Sequence, residues 1–141
     1  MDRIKIEFDA VSRNESFARV CVAAFATRLD PTLDEINDIK TAVSEAVTNA
    51  VIHGYNEQGG IIELTAAIEE DELTIVISDK GRGIDDIEKA MEPMFTTGSD
   101  KERSGMGFTF MEVFMDELSV ESQPGQGTTV TMKKRIGKTE E

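Results

Sequence analysis

The spacing of apolar residues changes from helical to alternating between residues 53 and 62, and this change limits the folds that the chain can adopt. Apolar residues recur at intervals of three and four over about 14–28 and from 33 to His53, whereas residues 62–77 alternate apolar with polar side chains. The first spacing is typical of amphipathic helices and the second of half-buried strands. The sequence therefore predicts two helices followed by a β-hairpin, which ends at Asp79.

Each predicted helix is preceded by a hydroxyl residue that has a glutamate three positions later, which is the capping-box pattern. Ser12 and Glu15 would cap the first helix. Thr32 and Glu35 would cap the second helix, and Gly54 would end it. We expect the first helix to face the core with its apolar stripe, which is formed by Phe17, Val20, Cys21, Ala24 and Phe25.

The remaining segments complete an α+β pattern. Short alternating runs predict strands at 3–8, 118–120 and 130–132, and a helix is expected over about 107–116. Residues 84–104 show no sustained period, and a loop of that length inside a compact domain is often a lid or a binding loop. The simplest fold is an α+β two-layer sandwich in which helices cover one face of a mixed, mostly antiparallel sheet.

Length and composition exclude several classes of protein. A chain of 141 residues has the usual size of one domain, so residues 1–141 are expected to fold as a single unit. One cysteine and one histidine argue against a disulfide and a zinc site, and no apolar run approaches the roughly 20 residues that span a bilayer. A net charge of −13 would repel nucleic acid. We therefore expect a cytoplasmic protein that binds neither nucleic acid nor membrane.

Glu45, Asn49 and His53 are spaced by four residues and would form one ridge along the second helix. A carboxylate and a carboxamide one turn apart suit a hydrated Mg²⁺ ion, which prefers oxygen ligands. The carboxylate could instead orient or deprotonate a hydroxyl group. An ordinary solvated helix face and, for His53, an interaction with the helix dipole are the open alternatives.

Asp79 stands at the end of the predicted hairpin, directly before Gly81 and Gly83. Glycines at such a point let the backbone turn tightly or approach a ligand, and the aspartate could accept a hydrogen bond from an amino group such as adenine N6. A simple turn is the alternative. Thr128 and Thr129 enter the last strand after a glycine-rich turn, and they either lie beside the same pocket or belong to an ordinary hairpin.

A third glycine-containing segment, residues 103–108, leads into the predicted helix at 107–116. Backbone N–H groups at a helix N-terminus can bind an anion, and Arg103 could add a charged hydrogen bond to a terminal phosphate. The segment is neither a P-loop nor a dinucleotide-binding fingerprint. A plain loop-to-helix junction is the alternative.

The order of these segments over residues 45–129 resembles the ATP-binding (Bergerat) fold shared by Hsp90, DNA gyrase, MutL and sensor histidine kinases, the GHKL superfamily. The resemblance implies a protein that binds ATP or ADP with Mg²⁺. By this resemblance, Asn49 would coordinate the Mg²⁺ ion that bridges the ATP phosphates. Asp79 would accept from the adenine amino group, with Thr128 or Thr129 beside it.

The resemblance also assigns the loops. Gly83 would turn the chain below the adenine, and residues 84–104 would form a lid over the nucleotide. The other residues expected to contact the nucleotide are Gly81, Thr97, Arg103, Ser104, Gly105, Met106 and Gly107. The segment that would bind phosphate holds fewer glycines than in many sensor kinases, which is a departure from the superfamily pattern.

By this resemblance, the chain would carry the ATP-binding module alone, and its single histidine would lie inside the nucleotide segment. Residues 14–20, 43–50 and 102–109 resemble the anti-sigma-factor serine kinases of sporulation. That resemblance implies a homodimer that inhibits a sigma factor and phosphorylates a serine of an anti-anti-sigma protein. Glu45 would be the general base, and Arg19 would contact the partner.

Three alternatives from the sequence stay open. The chain could be a nucleotide-gated binding protein that transfers no phosphate, or a sensor-kinase fragment whose histidine domain is a separate chain. Without the resemblance, Arg19 would be interpreted as a solvated helix residue.

Overall fold

A computed structural model describes residues 1–56, 58–84 and 108–137. The strands and helices are β1 (Asp2–Asp9), α1 (Asn14–Ala26), α2 (Leu33–Asn49), β2 (Ile61–Glu69), β3 (Glu72–Asp79), α3 (Phe108–Phe114), β4 (Glu117–Ser122) and β5 (Thr128–Arg135). A 3-10 turn at Thr27–Leu29 follows α1, and a π-helical turn at Ala50–Gly54 follows α2. This order of elements confirms the order predicted from the sequence.

The five strands form one sheet in the order β1-β2-β3-β5-β4, and each neighbouring pair is antiparallel. Buried and more exposed side chains alternate along β2 and β3, as the alternating sequence requires. The inward residues of the strands and the apolar faces of the helices belong to one hydrophobic core. The α+β two-layer fold is therefore confirmed.

The face of α1 that packs on the core differs from the predicted one. Ala18 and Val22 are fully buried, whereas Phe17 and Val20 are 52% and 57% exposed. Of the predicted stripe, only Phe25 is buried. Both sides of α1 are apolar in sequence, so periodicity alone could not choose between them. Small residues on the buried side allow α1 to approach α2 closely.

The capping box predicted at Ser12 is wrong. Helix α1 begins at Asn14, and its N-cap, Arg13, makes no side-chain capping bond. The carboxylate of Glu15 instead accepts hydrogen bonds from Arg19 and from Ser44 on α2. A contact between helices thus replaces the local cap.

The second capping box is confirmed. The Glu35 N–H donates to the Thr32 hydroxyl at 3.1 Å, and the Thr32 N–H donates to the Glu35 carboxylate at 2.8 Å. The regular α-helix ends at Asn49, and a wider π-helical turn carries the chain on to Gly54. Among the described residues, no helix combines the length and apolar character needed to cross a bilayer.

Candidate functional site

A pocket lies where the end of α2, the π-helical turn, the end of β3 and the start of β5 meet. Its polar lining residues are Asn49, His53, Asp79 and Thr128. Its apolar lining residues are Ala46, Ala50, Ile77, Ile84, Phe108 and Val130. Mostly apolar walls with a few convergent polar groups are typical of a small-molecule site.

Asp79 provides the buried carboxylate of this pocket, with only 8% of its surface exposed. The Gly81 N–H donates to its Oδ1 at 2.8 Å, and the backbone of Thr128 provides a second hydrogen bond. Burial raises the pKa of the Asp79 carboxyl above its usual value, and the two N–H donors oppose that shift. A ligand that donates a further hydrogen bond would offset the cost of burying this charge.

Glycines pack closely around Asp79. A β-carbon added to Gly54 would lie 2.9 Å from the Asp79 carboxyl atoms. Gly127 has φ +90°, and a β-carbon there would lie 2.1 Å from the Asp79 carbonyl oxygen. Gly127 requires glycine because of its positive φ and the backbone beside it, whereas a β-carbon at Gly54 would displace the Asp79 carboxyl group. The sequence suggested only a helix cap for Gly54, so its contact with Asp79 was missed.

The two glycines that follow Asp79, Gly81 and Gly83, occupy different positions relative to the pocket. Gly83 lines the pocket with φ +77°, and a β-carbon there would lie 2.0 Å from the Gln123 carbonyl oxygen. Gly81 packs against the backbone of Gly54 and donates its N–H to Asp79. Gly81 therefore shapes and orients the carboxylate.

Of the two predicted threonines, the structure brings Thr128 into the pocket. Its hydroxyl lies 2.8 Å from that of Ser122. The side chain of Thr129 points to the opposite face of the sheet, where its hydroxyl lies 3.1 Å from that of Ser78. Successive side chains of a strand face opposite sides, so the two threonines cannot share one pocket. The expectation that Thr129 lies beside Asp79 is thus corrected.

Ser122 and Tyr55 organise the edges of the site, and no sequence pattern pointed to either residue. The Ser122 hydroxyl donates to the Gly127 carbonyl and accepts from the Ile84 N–H, both at 2.8 Å. The Tyr55 hydroxyl donates to the Ile61 carbonyl at 2.8 Å and accepts from the N–H of the residue after Asp79 at 2.7 Å. Both side chains bind segments distant in sequence.

Asn49 and His53 both line the pocket, one helical turn apart. The backbone around them is fixed because Arg82 donates its Nε–H to the His53 carbonyl at 2.7 Å and its N–H to the Gly54 carbonyl at 2.9 Å. In the described part of the chain, no group of three or more acidic, histidine or cysteine side chains could hold a metal ion. A metal ion bound at Asn49 would therefore take its other ligands from groups that do not belong to such a cluster of side chains.

Glu45 lies one turn before Asn49, is half-buried and does not line the pocket. Burial raises the pKa of its carboxyl, and the negative charge of Glu15 raises it further. A carboxylate with a raised pKa is a better proton acceptor near neutral pH. Glu45 lies outside the pocket, directly before the lining residue Ala46.

Arg19 is held by two contacts instead of extending freely into solvent. Its Nη1 lies 2.5 Å from Glu15 Oε2 and 3.3 Å from the Ser44 hydroxyl. Its side chain keeps 38% of its surface exposed. Phe17 and Val20 are also exposed on α1, on sides of the helix that differ from that of Arg19. Helix α1 therefore presents a partly exposed, ion-paired arginine and, on other sides, two exposed apolar side chains.

Several predicted contacts fall outside the described residues. They are Thr97, Arg103, Ser104, Gly105, Met106 and Gly107. The described residues at the two ends of that segment, Ile84 and Phe108, both line the pocket.

Comparison with known proteins agrees with this architecture. Residues 9–134 match the family described as histidine kinase-like ATPase domain. The anti-sigma F factor of Clostridium beijerinckii is 61% identical over 136 residues, which are 96% of this chain and 95% of that protein. The anti-sigma F factor of Clostridium acetobutylicum is 59% identical over 135 residues, covering 96% of this chain and 94% of that protein.

A solved structure of the RsbU and RsbW domains of Rv1364c from Mycobacterium tuberculosis has a TM-score of 0.69 and 24% identity to this chain. The match covers 96% of this chain but 32% of that one, so the likeness concerns the fold. The chain belongs to the histidine kinase-like ATPase domain family and, within it, to the anti-sigma F factors.

Proposed function

We propose that this protein is an ATP- and Mg²⁺-dependent serine kinase that also binds and inhibits a sporulation sigma factor of the sigma-F type. Its phosphorylation substrate is a serine of the anti-anti-sigma protein that opposes it. The observation that carries the proposal is the buried Asp79 carboxylate in an apolar pocket, in a chain about 60% identical to anti-sigma F factors.

The pocket suits an adenine ring. Ile77, Ile84 and Val130 give it apolar walls, which favour a flat aromatic base. The adenine N6 amino group donates to Asp79, while Thr128 lies on the paired strand directly opposite. A neutral donor is suitable here because it stabilises the buried carboxylate without placing a second charge in the pocket.

In this proposal, Mg²⁺ and the ATP phosphates bind along the ridge on the second helix that Glu45, Asn49 and His53 form. The Asn49 amide oxygen is a ligand of the type that Mg²⁺ takes together with phosphate oxygens and water. The bound ion supplies charge neutralisation for the triphosphate. The expected donors at the terminal phosphates are Thr97, Arg103, Ser104, Gly105, Met106 and Gly107.

Glu45 is the general base in this proposal. It accepts the proton of the substrate serine hydroxyl as the serine oxygen bonds to the γ-phosphorus and ADP leaves. Its raised pKa suits that role, because a base works best when its pKa approaches the working pH. Most of the acceleration comes from positioning and charge neutralisation.

Partner binding uses the exposed side of α1 around Arg19. The uncovered side chains of Phe17 and Val20 supply apolar contact area, and the arginine supplies a directed charge. The net charge of −13 favours association with basic surfaces, which proteins that bind DNA and polymerase often carry. We further propose that the protein acts in the cytoplasm as a homodimer.

Glu45→Gln separates a kinase from a nucleotide-gated binding protein. The variant should keep ADP and sigma-factor binding but form no phosphoserine on the anti-anti-sigma protein. Glu69→Gln, at an exposed strand end, is the matched control and should transfer phosphate normally. Equal transfer by wild type and Glu45→Gln would remove Glu45 as the base, and binding without transfer in the wild type would favour the nucleotide-gated module. A product labile to acid would indicate phosphohistidine and a sensor-kinase fragment.

A further inference from the structure

Strand β1 forms one edge of the sheet. It runs for eight residues, Asp2–Asp9, and among the described residues its one strand partner is β2. Beyond β1, the Ala10 N–H continues the same ladder by donating to the Gly60 carbonyl at 2.8 Å. Hydrogen-bonded and non-hydrogen-bonded pairs alternate along an antiparallel ladder, so the even-numbered residues of β1 bond β2 and the backbone groups of its odd-numbered residues point to the open edge.

The odd-numbered side chains of β1 divide this edge into a basic half and an acidic half. Arg3 and Lys5 come first, Glu7 and Asp9 follow, and all four are exposed. A second copy that runs antiparallel presents these residues in the reverse order, so that its acidic half lies opposite the basic half. Directly opposite charges of unlike sign stabilise a sheet, and like charges destabilise it. The edge is therefore complementary to itself.

One register satisfies all of these charges. When the two-fold axis passes through Ile6, Lys5 lies opposite Glu7 of the second copy. In the same register, Arg3 lies opposite Asp9 of that copy. An axis at Lys5 or at Glu7 would bring two like charges together on the axis itself. An axis moved by two residues in either direction would pair basic with basic or acidic with acidic side chains.

A second positive charge near Glu7 would relieve a repulsion within the protomer. Glu7 lies directly opposite Glu63 on β2, and like charges in that position are destabilising. Lys5 is bound to Glu63, with 2.9 Å between Nζ and Oε2. Lys5 of a second copy would lie on the open side of Glu7 and supply it with a cation of its own.

The remaining features of the two sheet edges favour β1 as the contact. On the inner side of β1, Ile4 and Ile6 pack against the core but stay partly exposed, so a second copy would bury more of their apolar surface. The opposite edge strand, β4, exposes Glu117, Ser119 and Glu121. These side chains include no cation, so two copies of β4 would repel each other.

We propose that β1 pairs antiparallel with β1 of a second copy of this chain, with the two-fold axis at Ile6. This pairing supplies the interface of the proposed homodimer and rests on that part of the proposed function. It joins two five-stranded sheets into one and covers an edge that would otherwise be open to unrelated strands. The ladder ends at Asp9, because its carbonyl already accepts from the Val11 N–H at 2.9 Å and from Asn14 Nδ2 at 2.8 Å.

Charge reversal at the paired residues tests the register. Lys5→Glu makes both central charges of the edge acidic, and Glu7→Lys makes both basic. Each variant alone should raise the dimer dissociation constant at least about tenfold, because two like-charged pairs replace two pairs of unlike charge. An equimolar mixture of the two variants should form a heterodimer, since the acidic edge then lies opposite the basic edge. The double variant Lys5→Glu/Glu7→Lys should dimerise like the wild type.

Analytical ultracentrifugation measures the dissociation constants, and native mass spectrometry identifies the heterodimer by its mass. Glu121→Lys reverses an exposed charge on the other edge strand and is the matched control. It should leave the dissociation constant unchanged. Circular dichroism of each variant should match the wild type, because both substituted side chains of β1 are exposed.

Disulfide formation tests the position of the axis without changing any charge. In the proposed register, the two copies of Ile6 form a non-hydrogen-bonded pair with Cα atoms about 4.5 Å apart, a separation that a disulfide spans. In a Cys21→Ser background, Ile6→Cys should therefore give a covalent dimer on mild oxidation. Ile4→Cys, two residues away on the same face, is the control and should stay uncrosslinked, because it would lie opposite Phe8.

Weakened dimers of each single variant, a heterodimer in the mixture and a cross-link confined to Ile6→Cys support the interface. A wild-type dimer that neither charge variant weakens, or a mixture without heterodimer, overturns it and assigns the dimer to another surface. If a charge variant fails to fold, the two cysteine variants decide. A monomeric wild type overturns the interface and the proposed homodimer together, while phosphoserine formation, assayed separately, decides the proposed kinase activity.

Discussion

Gly54→Ala should separate nucleotide binding from folding. Gly54 ends the π-helical turn and does not have a positive φ, so alanine fits its backbone. Helical alanine is more stable than glycine by about 0.5–1 kcal/mol. The obstacle is the β-carbon, which would lie 2.9 Å from the Asp79 carboxyl atoms.

The distance by which the Asp79 carboxyl group must move sets the size of the loss in ADP affinity. Ordinary contact begins near 3.4 Å, so the carboxyl group must retreat by about 0.5 Å. That movement weakens the 2.8 Å bond from the Gly81 N–H and misplaces the acceptor for the adenine amino group. Hydrogen bonds to charged groups contribute about 1.5–3 kcal/mol, so we expect ADP affinity to fall about tenfold to a hundredfold.

Isothermal titration calorimetry with ADP and a thermal melt provide the assay. Gly59→Ala is the control in the same loop, because Gly59 has φ +92° and open space around it. The control should lose about 1–2 kcal/mol of stability from backbone strain and keep its ADP affinity. A folded Gly54→Ala protein that binds ADP like the wild type would refute Asp79 as the adenine acceptor.

Three other outcomes follow from the site. Asn49→Ala should keep its melting temperature, because the residue lies off the core, yet lose the gain in ADP affinity that Mg²⁺ gives over EDTA; a collapsed melt would make Asn49 structural. Thr128→Val should weaken ADP binding in calorimetry while Thr129→Val, on the opposite face, should not; equal effects would contradict the strand orientation. Glu45→Gln should be more stable than the wild type at neutral pH, because burial raises the folded-state pKa of the Glu45 carboxyl group. The raised pKa stabilises the folded wild type below the ordinary glutamate pKa, and this stabilisation is lost as pH rises through the raised pKa. The difference in denaturation midpoint should therefore grow as pH rises, and a constant difference would contradict the burial effect.

The order of elements could be predicted from the sequence because its signals are local. The change from helical spacing to alternation separates α2 from β2, and the Thr32–Glu35 box marks where α2 begins. The buried face of α1 could not be predicted in this way. Its two sides are both apolar, and only packing against α2 decides that Val22 is buried and Val20 is not.

The polar centre of the site was predictable because Asp79 and its glycines form a compact motif. The partners that hold it were not, since they come from distant segments: Tyr55 reaches the backbone of residue 80, and Ser122 reaches that of Ile84. The choice between Thr128 and Thr129 needed the strand register, which places Thr128 opposite Asp79. The spacing of residues in the sequence does not show which residues of the two strands are paired.

The most direct test of the account is one pull-down that reads both partners together. The protein is immobilised and loaded with the sigma-F-type factor in the presence of ATP and Mg²⁺, and the anti-anti-sigma protein is then added. We predict that sigma factor is retained with ATP, that it is released as the antagonist binds, and that phosphoserine appears on the antagonist. Sigma-factor retention that is identical without nucleotide, together with an antagonist that binds but stays unphosphorylated, would contradict the account.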